Sequence, residues 1–429
     1  MNGDRIFVRR EPRAGETSRP QLSRTVFRPS APQEKPTVFQ PPEVVEEHDE
    51  AKEKSAASGA GKDGKGGKKH RWSLKFWENW TKKHWWIASG IAFVVVAGGV
   101  TGTLLLVHSD KAAAPEHHQV ASKPKPKPAP VQLVSTLTGL PISSASVNQL
   151  PVTAVMIENS TFARPQSGLD QAGVVFEARA EGGITRFVAL YQDSSPSYVG
   201  PVRSVRPYYI EWLLGFDAAV AHVGGSGEAL ADLKTWNVKN LDQEANGSYF
   251  TRITSRAAPH NVYTSIANLN ALEAKRGYGA SNYTGFVRKA EAPAKTPSVT
   301  SIDFNISSAA YAVHYDYNAT TNSYERSEGG APHMEVDQAG NKTQIAPKVV
   351  VALVMSATLE ADGLHMQYGT IGSGPMYVFQ DGNVEQGTWH KTSNTSQFTF
   401  TDASGKTLAL NPGQTWITAL GASNLVSYK

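Results

Sequence analysis

The sequence has 429 residues, enough for two or three domains, with 40% hydrophobic residues and a formal net charge of +4. It contains no cysteine, which excludes disulfides, thiolate nucleophiles, zinc–cysteine and iron–sulfur centres, and lipid attachment through a cysteine. Most of the positive excess precedes residue 84, so the charge describes a tail and not a basic binding face, and no nucleic-acid partner is expected.

Residues 1–84 precede the apolar run, and residues 1–70 of them are rich in Arg, Lys, Glu, Pro, Gly and Ser and nearly lack sustained apolar periodicity. Such a segment buries too little surface to offset its ordering entropy, so it is expected to be a disordered basic tail. Within it Thr25-Val26-Phe27-Arg28-Pro29 recurs as Thr37-Val38-Phe39-Gln40-Pro41. Short apolar islands of this kind make residues 1–60 a candidate docking segment for a cytoplasmic protein, although biased composition also generates such repeats.

Residues 85–107, from Trp85 to Val107, carry no charge over 23 positions. A bilayer core is crossed by about 20 apolar residues of helix, which predicts one transmembrane helix here. Trp77, Trp80, Trp85 and Trp86 gather at its N-terminal end, as expected at the headgroup layer. Arg71, Lys75, Lys82 and Lys83 precede the span closely and Lys111 follows it, so the N-terminus is expected in the cytoplasm and the remainder outside. Residues 108–132 contain Lys123-Pro124-Lys125-Pro126-Lys127-Pro128, an extended spacer predicted to act as a stalk.

Residues 133–290 alternate strand-like runs (152–157, 174–178, 184–191, 218–223) with helical patterns (207–215, 228–236, 262–275), which predicts an α/β domain. Residues 291–297 read as a linker. Residues 298–429 change to short strands such as 312–317, 349–355, 376–379 and 415–420, separated by turns, which predicts a β-rich second domain.

Chemistry-bearing residues are densest between 156 and 260: Met156-Ile-Glu-Asn-Ser160, Ala163-Arg-Pro-Gln-Ser-Gly-Leu169, Glu177-Ala-Arg-Ala-Glu-Gly-Gly-Ile-Thr-Arg-Phe187, Gly200-Pro-Val-Arg-Ser-Val-Arg-Pro207, His222-Val-Gly-Gly-Ser-Gly-Glu228 and Arg252-Ile-Thr-Ser-Arg-Ala-Ala-Pro-His260. The second domain adds Gly330-Ala-Pro-His-Met-Glu-Val-Asp337, Gly372-Ser-Gly374, Gly387-Thr-Trp389 and Leu410-Asn-Pro-Gly-Gln-Thr-Trp-Ile417. Through these strings the region 133–429 resembles the YerB-like family, an exported bacterial group of unknown function. The resemblance implies an α/β part and a β part on the outer face of the cell membrane. It supplies no catalytic residue. Members are often lipoproteins, and this sequence departs from them in having no cysteine to acylate.

The residues themselves mark ligand-binding candidates: Glu158, Arg164, Glu177, Glu181, Arg186, Arg203, Arg206, His222, Ser226, Arg252, Arg256 and His260. Arg203 and Arg206 precede a helix whose predicted first residue is Pro207, where unpaired N–H groups suit an anion. Pairing of these arginines with Glu158, Glu177 or Glu181 is the structural alternative, and the sequence leaves the two open. The glycines after His222 form a turn able to hold an oxyanion. Glu228 replaces the last glycine of a nucleophile elbow, so Ser226 is expected to be a helix N-cap. Glu158, Glu177 and Glu181 offer an acid–base pair of glycosidase type, but arginine partners would hold their pKa values low. His222, His260 and His333 lack metal-ligand spacing, so neither metal nor cofactor is expected. The preferred reading is an envelope protein binding an anionic wall polymer or peptide, ahead of a cell-wall hydrolase and of a relay through the tail.

Overall fold

The computed structural model describes residues 132–429; the tail, the span at 85–107 and the stalk up to residue 131 lie outside the described residues. Among the described residues, no helix is long and apolar enough to cross a membrane.

In chain order the first half contains β1 (Thr153–Glu158), β2 (Val174–Arg179), β3 (Thr185–Tyr191), α1 (Pro207–Leu214), β4 (Ala219–His222), α2 (Gly227–Thr235), β5 (Asn240–Asp242), β6 (Thr251–Arg252), β7 (Val262–Tyr263) and α3 (Ile266–Arg276). The second half adds β8 (Ser301–Asn305), β9 (Ala312–Asn318), β10 (Ser323–Glu328), β11 (Ala331–Pro332), β12 (Met334–Val336), β13 (Lys342–Gln344) and β14 (Val349–Val354). It ends with β15 (Ala357–Leu359), β16 (Met366–Tyr368), β17 (Gly372–Gln380), β18 (Asn383–Lys391), β19 (Thr399–Asp402), β20 (Thr415–Leu420) and β21 (Val426–Tyr428). The helices begin where local chemistry allows. Pro207 opens α1, where its missing N–H is no loss. Ser226 and Ser265 cap α2 and α3 by accepting from the N–H of Ala229 and of Asn268. Gly277 closes α3 in the left-handed conformation, at φ 71°.

Ten strands form one sheet in the order β19-β18-β17-β14-β20-β2-β3-β1-β4-β5. Helices and strands alternate in the first half and strands dominate the second, as the sequence predicts. The two halves nevertheless share this sheet. β20 lies parallel between β14 and β2, pairing Val349 and Val174 with Thr415 and carrying on to Val350↔Trp416 and Phe176↔Ile417. A second sheet, β11-β10-β9-β8-β21, covers part of one face.

β1, β2 and β3 are buried on both faces almost throughout, which explains their near-continuous apolar sequences. The period of two divides their side chains. Ala154, Met156, Val174 and Phe176 join the core that holds α1 through Tyr208, Trp212 and Leu213. Val155, Ile157, Val175 and Phe187 join the other, with α3 and with Phe304, Tyr315 and Tyr324 of the second sheet.

Candidate functional site

The parallel strands β1 and β4 pair from Thr153↔Ala219 to Val155↔Ala221 and then part. The segment 202–205 enters the gap: Arg203 N–H donates to Met156 O (2.9 Å), Val223 N–H to Arg203 O (3.1 Å) and Val205 N–H to Gly224 O (3.1 Å). Strands that diverge at their carboxyl ends open a crevice, where open α/β sheets place their ligands. Glu158 is the last residue of β1 and stands at this edge.

Three of the predicted residues converge here. Glu158 Oε1 accepts from Ser160 Oγ (2.9 Å), meets His260 Nδ1 at 2.8 Å and lies 3.5 Å from Arg203 Nε. The Glu158 side chain is 4% exposed, yet its Oε2 and Arg203 Nε are buried without a hydrogen-bond partner. The terminal nitrogens of Arg203 make no hydrogen bond among the described residues, and its side chain is 25% exposed. Phe162, exposed beside this cluster, stands 5.6 Å from the His260 ring. Arg256 holds the loop in place by donating to the carbonyls of Ala163 and Pro165, the latter at 2.6 Å. Arg252 is exposed on the same hairpin and donates to Asn261 Oδ1 (3.1 Å).

This geometry does not make a hydrolytic triad. Ser160 Oγ and Glu158 both face His260 Nδ1, with the serine 3.4 Å away. A triad needs the serine on the imidazole nitrogen opposite the carboxylate.

The other predicted residues are bound elsewhere. Arg206 does not join Arg203. Its Nη2 lies 2.8 Å from Glu181 Oε2, its Nη1 donates to Val205 O, and Arg186 holds Glu181 Oε1. Burial alone would raise the Glu181 carboxyl, but Arg186 and then Arg206 outweigh it and hold the group below its ordinary value. The carboxylate of Glu181 thus occupies the arginine expected to await an anion. His222 is buried, with Nδ1 on Gly224 O (2.8 Å) and Nε2 on Asn240 Oδ1 (2.9 Å), which leaves neither ring nitrogen free for a metal. Ser226 is the cap of α2, as its position predicts. Arg206→Gln is expected to lower folding stability by about 1–3 kcal/mol, since it strips a charged partner from a mostly buried carboxylate. A chemical melt of the parent and the variant checks this.

Glu177 and Arg164 belong to a buried network joining the two halves. Arg326 Nη2 lies 2.9 and 3.0 Å from the two oxygens of Glu177, and Trp416 Nε1 donates to Glu177 Oε2 at 2.9 Å. Arg326 Nη1 reaches Glu328 Oε2 (3.2 Å) and His333 Nδ1. Glu328 Oε1 accepts from Asn159 Nδ2 (2.7 Å) and meets Arg164 Nη2 (3.0 Å). Burial pushes Glu177 up from its ordinary value, against the pull of Arg326 and with the push of Glu328. Burial opposes the charge of Arg326, but Glu177 and Glu328 prevail and hold it protonated. Burial, with Arg326 and Arg164 behind it, keeps His333 neutral. Its Nε2 donates to Gln166 Oε1 (3.0 Å), and Gln166 Nε2 donates to the main-chain oxygen of Glu158 (3.1 Å). The network therefore braces the strand end that carries Glu158.

Arg326, Glu328 and Ser160 escape the sequence reading. A signal was present for the first two: Tyr324, Arg326 and Glu328 alternate along β10 on its buried face, so charge occupies a core-facing register. Among the described residues, one group brings metal-ligand atoms within 4.8 Å of one another: Glu360, Asp362 and His365. It sits on the turn between β15 and β16, where Asp362 already serves the N–H groups of Leu364 and His365 and the His365 ring.

Residues 137–279 match the N-terminal domain, and residues 302–417 the C-terminal domain, of a family described as "Protein of unknown function (DUF3048)". The chain belongs to this family. It is 32% identical over 290 residues to "Putative lipoprotein YerB" of Bacillus subtilis (strain 168), covering 67% of this chain and 86% of the relative. The crystal structure of YerB protein from Bacillus subtilis is similar with a TM-score of 0.60 at 30% identity, over 70% of this chain and 100% of that one. The resemblance read from the motifs is thereby shown.

Proposed function

We propose that this chain is an envelope protein anchored in the cell membrane by residues 85–107, whose outer region grips a carboxylate- or phosphate-bearing wall polymer or peptide at Arg203, Glu158 and His260. The lipoprotein description of its Bacillus relative supports a membrane anchorage for the shared region. With no cysteine in this sequence, the apolar run at 85–107 takes that role here.

The observation that carries the reading is the state of two partners in one cluster. Among the described residues, the terminal nitrogens of Arg203 make no hydrogen bond, while the buried Oε2 of Glu158 has no partner. A guanidinium takes an oxyanion through two parallel N–H donors, and the buried Glu158 carboxylate stands behind this one through Nε, 3.5 Å away. A wall polymer or peptide bearing carboxylate or phosphate presents that oxyanion. The absence of a triad geometry at Ser160 favours binding over hydrolysis.

The test is co-sedimentation with purified cell wall. The parent chain is expected to be retained at low salt and released as salt rises, because exposed charge pairs are screened. Arg203→Gln is expected to weaken retention about 10–100-fold, from the loss of about 1.5–3 kcal/mol of charged hydrogen bonding. Its stability is expected to fall by less than about 1 kcal/mol, since Arg203 is a partly exposed, distant partner of Glu158. Unchanged retention in a folded Arg203→Gln variant contradicts the assignment.

A further inference from the structure

A second recess adjoins the charged cluster and has different chemistry. Its volume is about 400 Å3, inside the range of about 300–1,000 Å3 usual for small-molecule sites. Tyr198 and Tyr263 line it and lie face to face, with ring centroids 4.4 Å apart and planes 5° from parallel. Tyr263 is 2% exposed and Tyr198 partly exposed, so the pair forms a fixed base with an outer ring open to solvent. Gly200 lets the main chain close on that base. A Cβ there would stand 2.8 Å from the Tyr263 ring, and the residue has φ 151°.

Around the aromatic pair stand Ser197, Thr251, Asn268 and Gln338, all exposed, and no Asp, Glu, Lys or Arg lines the recess. The side chains of Ser197, Thr251 and Gln338 make no hydrogen bond among the described residues. Hydroxyls and amides both donate and accept, which matches a ligand whose own groups do the same. An aromatic face amid uncharged, two-way hydrogen-bonding groups suits a ring with a flat C–H face and a rim of hydroxyls. It suits neither an ion nor a purely apolar ligand.

We propose that this recess is a subsite for a neutral pyranose unit of a glycan, adjoining the charged cluster. The hairpin β6–β7 links the two. Thr251 and Tyr263 face the recess, while Arg256 and His260 lie in the connection between the strands. Arg256 then ties that connection to the loop of Phe162 through Ala163 and Pro165. A polymer passing the hairpin meets sugar-binding chemistry on one side and anion-binding chemistry on the other. The identification of that polymer as a wall glycan rests on the function proposed above; the subsite itself does not.

The probe is chitotriose, an uncharged trimer of N-acetylglucosamine, titrated calorimetrically into the full chain. Binding is expected, insensitive to salt and unaltered by Arg203→Gln. Tyr198→Ala is expected to weaken it about tenfold, the equivalent of about 1.4 kcal/mol. The paired change Asn268→Ala with Gln338→Ala alters only exposed side chains and is expected to weaken it severalfold, so it serves where Tyr198→Ala impairs folding. No binding by the parent overturns the subsite. Binding that salt suppresses and Arg203→Gln abolishes also overturns it, by assigning the sugar to the charged cluster. Chitotriose binding without salt-dependent wall retention upholds the subsite and refutes the charged-cluster reading alone.

Discussion

Arg326→Met is expected to lower folding stability by about 3–5 kcal/mol, the loss that follows when one member of a buried ion network is removed. The side chains of Arg326, Glu177 and Glu328 are 0%, 0% and 1% exposed, so neither carboxylate can recruit bulk water as a substitute. The guanidinium also lies 4.8 Å from the Trp416 ring centroid and 5.6 Å from that of Phe187. These rings come from both halves, so the loss is expected throughout the folded region and not in one half. Adding Glu177→Gln removes one stranded charge and is expected to restore part of the stability. Urea melts of the two variants measure this. A loss under about 1 kcal/mol in Arg326→Met contradicts the account of the core, as does a double variant weaker than the single one.

The second large effect depends on pH and falls on Glu335 of β12. Its Oε2 accepts from the N–H of Asp170 at 2.9 Å, and β12 docks on the first half through Val336 N–H to Gln166 O (2.8 Å). Burial foremost, and then the Asp170 carboxyl beside it, push Glu335 from 4.5 up to about 9. The folded state thus keeps a proton that the unfolded chain releases. The stabilising contribution is complete below pH 4.5 and is lost as pH rises towards about 9. The span implies a decline on the order of several kcal/mol. Glu335→Gln keeps an acceptor for the Asp170 N–H and carries no titrating proton. Thermal melts are expected to show similar stability for parent and variant near pH 4.5 and a clear advantage for the variant near pH 9. Parallel pH profiles contradict the retention of a proton on buried Glu335.

Local patterns in the sequence located the elements well. β20 occupies residues 415–420, as the apolar run there predicts, and α1 begins at Pro207, where the missing N–H requires it. Partnership is a different matter, because it depends on pairing across long chain separations. No periodicity says that β20 enters between β14 and β2, or that Glu177 meets an arginine 149 residues away. For the same reason Arg203 and Arg206 looked equivalent. Arg206 turns into Glu181 while Arg203 turns to the strand edge with Glu158, a difference set by how residues 202–205 wedge between two strands. His333 and Glu335 lie in a turn-like motif that says little alone. Their meaning appears only where they touch Gln166 and Asp170.

Site-specific photocrosslinking in intact cells tests the central claim most directly. Phe162 is 75% exposed and stands beside His260, so a photoreactive phenylalanine analogue there would report on whatever occupies the cluster. The same group at Tyr428, on β21 at one edge of the second sheet, serves as a control outside the cluster. The account predicts adducts carrying wall peptide or glycan at position 162, few at position 428, and a sharp reduction at 162 when Arg203→Gln is added. Equal wall adducts at both positions, or adducts at 162 that persist undiminished in the Arg203→Gln variant, would contradict it.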